Sequence, residues 1–425
     1  MGLFSKEELS SVASIWVVRM DIKSSSWGAR ESGKLNFFLV CSFVALVVLV
    51  RSNPNLFLNG TSYLSDWNYT HYLFNYDDGF VKRGAVGEFL KTLVDNVSYG
   101  FVSLFSYLSL GGLYFLFFWF VSKPHVTYEG RLGAFLLMLL AVTSPATLQH
   151  FAFDVGRFDL IIYIFFILIV LSINCLAEKS VHVTFFAVVA GLSLSVLVHE
   201  AAFFMIAPLV LVFWNYIDPS RKGVVFQCVG FAVIFFVTFL VSTRGEYSAL
   251  GFEEHLEALQ EVYGDRVVGT SLNVIHSASL EENVNRTIKL GASLPRLIHH
   301  GALVFFMMPF VYMIYKLYMS VRDNVGLRVK FMFIASLSPL ALYPLGQDHF
   351  RWWSLAITNI ILSICFIVLR DKFIRDVVLS FFEGRAKLVA FVVLAGLVSG
   401  PLGVTESFDV VVYSARFVST FISGL

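Results

Sequence analysis

The composition of this 425-residue chain is that of a membrane protein, with 57% hydrophobic and only 14% charged residues. Its 31 Lys and Arg residues nearly balance its 30 Asp and Glu residues. A soluble domain carries about 25% charged residues, so we exclude soluble, disordered, fibrous and nucleic-acid-binding proteins. The sequence predicts an all-α polytopic membrane protein.

The chain begins with residues 1–34, in which several Lys and Arg residues precede the first long apolar run. This pattern predicts a cytoplasmic segment that leads into a retained helix, not a cleaved signal peptide. A transmembrane helix needs about 20 mostly apolar residues. We predict about 11 such helices within one transmembrane domain over residues 35–404: 35–51, 99–122, 132–148, 159–177, 183–199, 201–217, 224–243, 297–318, 330–346, 352–369 and 387–404.

The distribution of charge predicts the orientation of these helices. With the N-terminus in the cytoplasm, most Lys and Arg residues fall on the inner side and most Asp and Glu residues on the outer side, as the positive-inside rule requires. Residues 52–98 and 244–296 then form long external loops, the second with a helix near 252–263. Residues 405–425 form an external tail.

Four polar clusters follow one another along the chain, and all fall on the predicted outer side. The first contains Asp77, Asp78, Lys82 and Arg83, followed by a stretch at helical spacing over residues 84–95 that is too short to span. We predict a juxtamembrane helix there. A carboxylate with a raised pKa suits a general base, and the two cations suit a phosphate. The alternative is a solvated turn that precedes a surface helix.

The second cluster contains Asp154, Arg157 and Asp159, between two predicted helices. Asp154 and Arg157 either form a structural ion pair or contribute an acid and a cation to a site. Asp159 opens an apolar helix, where the macrodipole favours an acidic residue. It is therefore the weaker functional candidate of the two acids.

The third and fourth clusters interrupt long apolar runs. His199 and Glu200 either form the polar tip of a hairpin or line a cavity. Asp348, His349 and Arg351 follow a break in a predicted helix, and the planar guanidinium of Arg351 suits a phosphate. Because ionisable groups at membrane depth are costly and functional by default, we predict that Asp78, Asp154, Glu200 and Arg351 line one outer cavity.

Other polar features carry weaker predictions. The cysteines are scattered through apolar runs, and His199-Glu200 is not an HExxH motif, so no metal site is predicted. Whether a divalent metal takes part stays open. Four sequons lie on the predicted outer side and accept glycans only in a compartment of the ER type: Asn59, Asn68, Asn96 and Asn285.

This layout resembles the GT-C superfamily of integral-membrane glycosyltransferases. Those enzymes carry an acidic motif in the first external loop, followed by a juxtamembrane helix, and often a second acid in the next external loop. Asp77-Asp78 with residues 84–95 match the first pattern, and Asp154 or Asp159 matches the second. The stretch over 77–84 is also similar to one in uncharacterised membrane proteins of bacterial envelope-polysaccharide synthesis.

The resemblance implies an inverting glycosyltransferase, without a firmly predicted cofactor, at the periplasmic face of a bacterial inner membrane. It would move a sugar from a polyprenyl-phosphate or polyprenyl-diphosphate donor to a hydroxyl of a glycan or protein acceptor. Asp78 or Asp77 is the expected base, and Asp154 supports the acceptor. The expected phosphate ligands are Lys82, Arg83, Arg157 and Arg351. The expected secondary cavity residues are Asp159, His199, Glu200, Asp348 and His349.

Three alternatives remain beside the simple transferase. A repeat-unit polymerase for O-antigen or exopolysaccharide would use two diphospholipid-linked glycans at the same site. A transporter of lipid-linked glycans is disfavoured because the sequence shows no internal repeat and no matched pair of broken helices. A non-catalytic scaffold is disfavoured by the clustering of charges on one side.

Overall fold

The described part of the chain begins in the first predicted external loop. The computed structural model describes residues 64–128, 131–247, 249–276, 284–285, 287–289, 293–323, 325–405 and 407–408. The predicted helix over 35–51, the segment 1–34, the sequon at Asn59 and most of the tail 405–425 lie outside these residues. Within them the fold is helical, as predicted, and its one β contact is an isolated bridge between Leu402 and Phe408.

Short helices come first. Helix α1 spans Asp66–His71 and begins where Ser65 Oγ accepts the N–H of Asn68 at 3.1 Å. Helix α2 spans Gly84–Leu93, close to the juxtamembrane helix predicted over 84–95. Gly87 of α2 passes so near the preceding loop that a Cβ there would lie 2.0 Å from the carbonyl oxygen of Phe74. Only glycine permits this contact.

Seven helices of the described residues are long and apolar enough to cross a membrane, if the interrupted helix over Leu132–Phe153 counts as one. Two further apolar helices are shorter, Ala202–Ile217 and Ala386–Ser399. The helices that follow α2 are α3 Tyr99–Thr127, α4 Leu132–Thr143, α5 Leu148–Phe153, α6 Asp159–Leu176, α7 Val181–Val198, α8 Ala202–Ile217, α9 Arg221–Arg244, α10 Phe252–Tyr263, α11 Gly269–His276, α12 Leu294–Val321, α13 Leu327–Ser336, α14 His349–Arg370, α15 Lys372–Gly384 and α16 Ala386–Ser399.

The predicted helix over 330–346 is not continuous. Helix α13 ends at Ser336, and a 3₁₀ helix over Ser338–Leu342 follows it. Proline explains the break, because Pro339 has no N–H to donate and its ring clashes with the preceding turn. The external helix predicted near 252–263 is present as α10.

Helix α14 occupies the centre of the bundle. In α14 and in the α4–α5 segment, 83% of the most apolar stretch is buried inside the protein, against 22% in α9 and α12. Stacked rings of Phe213 and Phe366, 4.2 Å apart, join α8 to α14. The outer faces of α9 and α12 expose large apolar side chains such as Phe235 and Phe305. Such faces suit contact with lipid tails.

Short connections make successive helices antiparallel, so the loops gather at two ends. Among the described residues, one end, here the site end, holds 64–98, 154–158, 199–201, 245–247, 249–276 and 343–348. The opposite end holds the described residues 128, 131, 177–180, 218–220, 322–323, 325–326 and 371. Contacts between distant loops define both ends: Arg157 with Asp348 at the site end, and Tyr216 with Asp371 at the other.

Candidate functional site

Five side chains of alternating charge form a continuous chain at the site end. Arg351 lies in the first turn of α14, and Asp159 is the first residue of α6. Arg351 Nε donates to Asp159 Oδ2 at 2.7 Å, and Nη2 donates to Oδ1. Its Nη1 donates to Asp348 at 2.9 Å. Arg157 Nη1 donates to the same Asp348 oxygen at 3.1 Å, and Arg157 Nε donates to Asp154. The charge chain therefore joins the segment that leads into α6 to the segment that leads into α14.

Burial raises the free-energy cost of removing one partner from these ion pairs. The side chains of Arg351 and Asp159 are 5% and 3% exposed, and an unpaired charge there would be very costly. Burial alone would raise the pKa of Asp348, but the guanidiniums of Arg157 and Arg351 lower it to about 2. Asp348 is therefore a carboxylate at neutral pH and holds both arginines in place.

A second group joins Arg83 to Glu200. Arg83 Nη2 donates to Glu200 Oε1 at 2.8 Å, and Nε donates to Oε2 at 3.2 Å. Arg83 precedes α2 with a φ of 66°, in the left-handed region that side chains rarely adopt. Burial opposes ionisation of Glu200, yet the charge of Arg83 keeps its pKa well below the usual range.

The two histidines of this second group are neutral. His71 Nδ1 lies 2.8 Å from the carbonyl oxygen of Trp67, which accepts only, so Nδ1 carries the proton. His71 Nε2 then accepts from Arg83 at 3.3 Å. His199 Nδ1 accepts the N–H of Ala201 at 3.1 Å. Burial and the charge of Arg83 lower the pKa of both imidazoles.

A small cavity lies between the charge chain and the second group. Its volume is about 20 Å³, enough for roughly one water molecule. Arginines from three separate loops line it, together with aromatic and amide side chains. The lining residues are Trp67, Asn68, His71, Arg83, Gly156, Arg157, Phe158, His199 and Arg351.

A larger cleft, of about 320 Å³, opens next to it. This volume is in the range of pockets that hold small molecules. Among the described residues that line the cleft, two have ionisable side chains, Asp154 and Arg157. The other lining residues are Phe153, Gly403, Val404, Thr405, Ser407 and Phe408.

One wall of the cleft is part of the loop that follows α16, namely residues 403–405 and 407–408. Gly400, at a φ of 75°, reverses the chain after that helix. The N–H of Leu402 donates to the carbonyl of Pro145 at 2.9 Å. Arg296 donates to the carbonyl of Thr405, and the N–H of Ser407 donates to His299 Nδ1 at 3.2 Å. The loop is therefore fixed from two sides, by α12 and by the α4–α5 turn.

The structure brings together eight of the predicted residues at this end, all with charged or imidazole side chains. Around the small cavity lie Arg83, Arg157, His199 and Arg351, and their carboxylate partners are Asp154, Asp159, Glu200 and Asp348. Three of the four residues expected in one outer cavity belong to this assembly. Each of the three arginines is already paired with at least one carboxylate.

Other predicted residues lie apart from both cavities. Asp77 pairs with Lys91 of α2, and Asp78 accepts the hydroxyl of Tyr247 at 2.9 Å. Both aspartates are exposed. Lys82 is mostly buried, and burial lowers its pKa. His349 stacks on Tyr343 with ring centres 4.4 Å apart.

Helix α1 contributes three residues that sequence reasoning did not select for the site, Trp67, Asn68 and His71. The guanidinium of Arg157 lies over the Trp67 ring at 4.8 Å, and Asn68 Nδ2 donates to Asp154 at 2.7 Å. The sequence feature that could have identified them is the run of polar and aromatic residues over 66–71, in a chain that is otherwise mostly apolar. Asn68 is only 1% exposed, so the sequon there does not offer a glycan acceptor in the folded protein.

Within the part of the chain that the structure describes, no group of three or more His, Cys, Asp or Glu side chains is placed to hold a metal ion. The positive charges at the two cavities are those of arginine side chains. The chain matches no protein-family model, and comparisons with curated proteins and with solved structures found no match.

Proposed function

We propose that this protein is a membrane glycosyltransferase that moves a sugar from a polyprenyl-phosphate or polyprenyl-diphosphate donor to an acceptor hydroxyl. The observation that carries the proposal is the cleft at the site end, where a carboxylate and a guanidinium face the same space. The charge distribution along the sequence assigns this end to the external face of the membrane, in a bacterium the periplasmic face of the inner membrane.

Arg157 is the proposed contact for the donor phosphate. The planar guanidinium of arginine matches the oxygens of a phosphate and keeps its charge at all relevant pH values. Phe153, Val404 and Phe408 line the same cleft, so its walls also suit the first carbons of a lipid chain. Stabilisation of the charge on the departing phosphate would be the main electrostatic contribution to catalysis.

Asp154 is the proposed general base for the acceptor. It lines the cleft, and Asn68 donates to its Oδ1 and so orients the carboxylate. Asp77 and Asp78, which the sequence resemblance favours as base, have Lys91 and Tyr247 as partners and line neither cavity. They remain candidates that the same assay tests. We propose that Asp348 holds Arg157 in position. Asp348 is itself held by Arg351, which is paired with Asp159.

The test is a transfer assay with purified protein in lipid nanodiscs, a polyprenyl-phosphate-linked sugar and a panel of glycan acceptors. Wild-type protein should form a new glycosidic bond, and Asp154→Asn should lose that activity while the protein still inserts and binds donor. Asp323→Asn is the matched control, because Asp323 is exposed at the opposite end. Full activity in Asp154→Asn with loss in Asp77→Asn or Asp78→Asn would move the base to the first external loop.

The same preparation separates the alternatives. A polymerase would require a diphosphate-linked glycan as both donor and acceptor and would yield a ladder of products. A transporter would move the lipid-linked glycan between leaflets of a liposome and form no new glycosidic bond. Transport without bond formation would contradict the proposed function.

A further inference from the structure

The contact between Arg157 and Asp154 leaves no space for a sugar between them. In an inverting transfer the acceptor oxygen attacks the anomeric carbon on the face opposite the departing phosphate. The base and the cation that holds the phosphate must therefore lie on opposite sides of the sugar ring. Here the two side chains are hydrogen-bonded to each other, so this pair has to open before transfer.

We infer that the donor phosphate displaces Asp154 from Arg157, so that donor binding unmasks the base and precedes productive binding of the acceptor. The inference rests on the proposed function and adds an order of events to it. It assigns Arg157 two successive partners, the Asp154 carboxylate in the free protein and the phosphate in the loaded protein.

Arg157 is held in a way that permits this exchange. Its Nη1 donates to Asp348 at 3.1 Å, and its guanidinium lies over Trp67 at 4.8 Å. Asp348 is fixed in turn by Arg351. In the exchange, the Nη1 contact with Asp348 would remain as an anchor while the guanidinium turns away from Asp154 and shifts over the Trp67 ring.

Asp154 is also suited to the exchange. Its side chain is 24% exposed, against 3% for Asp159. Asp348 is equally exposed but is paired with two arginines, whereas Asp154 is paired with one. It keeps one hydrogen bond, from Asn68 at 2.7 Å. Once Arg157 has turned away, Oδ2 of Asp154 has lost its hydrogen bond from Nε and is open to the hydroxyl of an acceptor, so the exchange converts Asp154 from an ion-pair partner into a base.

The chemical step then balances. The acceptor hydroxyl gives its proton to Asp154, and its oxygen forms a bond to the anomeric carbon. The bond between the anomeric carbon and the phosphate oxygen breaks, and the electron pair leaves with the phosphate, whose charge Arg157 holds. No further reactant is required.

Fluorescence of Trp67 tests the first half of the inference, because Arg157 covers its ring. The probe is a short-chain polyprenyl phosphate without sugar, added to the full-length protein in nanodiscs. We expect a saturable change in tryptophan emission that is lost in both Trp67→Phe and Arg157→Ala and retained in Asp323→Asn. An unchanged signal in wild-type protein with measurable binding of the probe would overturn the exchange.

Carboxyl labelling tests the second half. A hydrophobic carbodiimide, followed by mass spectrometry of peptides, reports how accessible each carboxylate is. We expect the sugar-free polyprenyl phosphate to increase labelling of Asp154 several-fold and to leave the exposed Asp323 and Asp78 unchanged. In Arg157→Ala, labelling of Asp154 should be high without the probe. Unchanged or reduced labelling of Asp154 in the wild type would contradict the inference.

The two proposals fail in different ways. Binding and unmasking without a glycosidic product would contradict the glycosyltransferase and leave the exchange intact. Glycosidic product without any change at Trp67 or Asp154 would contradict the exchange alone. Binding of the acceptor in the absence of any donor phosphate would contradict the proposed order, in which the donor binds first.

Discussion

The two ends of the bundle carry similar residues in different surroundings. At the opposite end, Arg131 pairs with Glu383, and Arg370 lies 3.6 Å from Glu178, with side chains that are 30–70% exposed. At the site end, Arg351 and Asp159 are almost fully buried. Exposed pairs contribute roughly 0–1 kcal/mol each, whereas removal of one partner from a buried pair costs about 3–5 kcal/mol. Burial, not charge count, distinguishes the site end.

The two ends of the bundle also differ in their cavities. The cleft of about 320 Å³ and the small cavity beside it are both lined by arginines of the site end. Arginines of the opposite end are more exposed, as shown by Arg131 and Arg322, whose side chains are 37% and 48% exposed. Arg157 lines both cavities, so a ligand in either of them would contact its guanidinium.

The largest expected effect is on activity. Asp154→Asn keeps the size of the side chain and its hydrogen bond from Asn68 but removes its basicity. Product formation should fall by roughly 10²–10⁴-fold, measured as new glycosidic bond per unit time. Asp323→Asn at the opposite end should retain wild-type turnover. Equal losses in the two variants would remove the functional distinction between the ends.

A large effect on stability is expected for Arg351→Met. The substitution leaves Asp159 buried without its cation, which should destabilise the fold by about 3–5 kcal/mol. The double variant Arg351→Met with Asp159→Leu should recover part of this loss, because no uncompensated charge remains. Resistance to thermal unfolding in nanodiscs measures both. If Arg351→Met were as stable as the wild type, the pair of Arg351 and Asp159 would not be buried in the protein as it exists in the membrane.

A moderate effect is expected from pH. The pKa of Asp348 is lowered to about 2 in the fold from an ordinary value of 3.8. Its ion pairs therefore stabilise the protein fully above about pH 4, and this contribution, of about 2 kcal/mol, is lost as pH falls toward 2. Wild type and Asp348→Asn should differ in unfolding temperature at pH 6 and converge near pH 2. A constant difference would contradict the shift.

The smallest effect is expected at the opposite end. Arg370→Met removes an exposed pair with Glu178 and a contact with Asn174. Unfolding temperature should change by an amount that corresponds to about 1 kcal/mol or less, and glycosidic product should not change. A loss as large as that of Arg351→Met would show that exposure does not separate the two ends.

The sequence by itself determined the class of the protein and most of its helices. Apolar runs and the spacing of apolar residues are local properties, so they predicted the seven long apolar helices of the described residues, and also α2 and α10. The prediction was wrong at residues 330–346, where the sequence is mostly apolar but Pro339 breaks the helix. The grouping of polar residues at one end also followed from the sequence, because helices that cross a membrane alternate in direction.

Only the tertiary structure decided which of these polar residues meet. Asp159 lies 192 positions from its partner Arg351, and Arg157 lies 191 from Asp348. No local pattern encodes such pairs, because they depend on how α6 and α14 pack side by side. The same packing brings Asn68 and Trp67 to the site and leaves Asp77 and Asp78 outside both cavities. A carboxylate's chemistry depends on its neighbours, and in this bundle distant segments supply them.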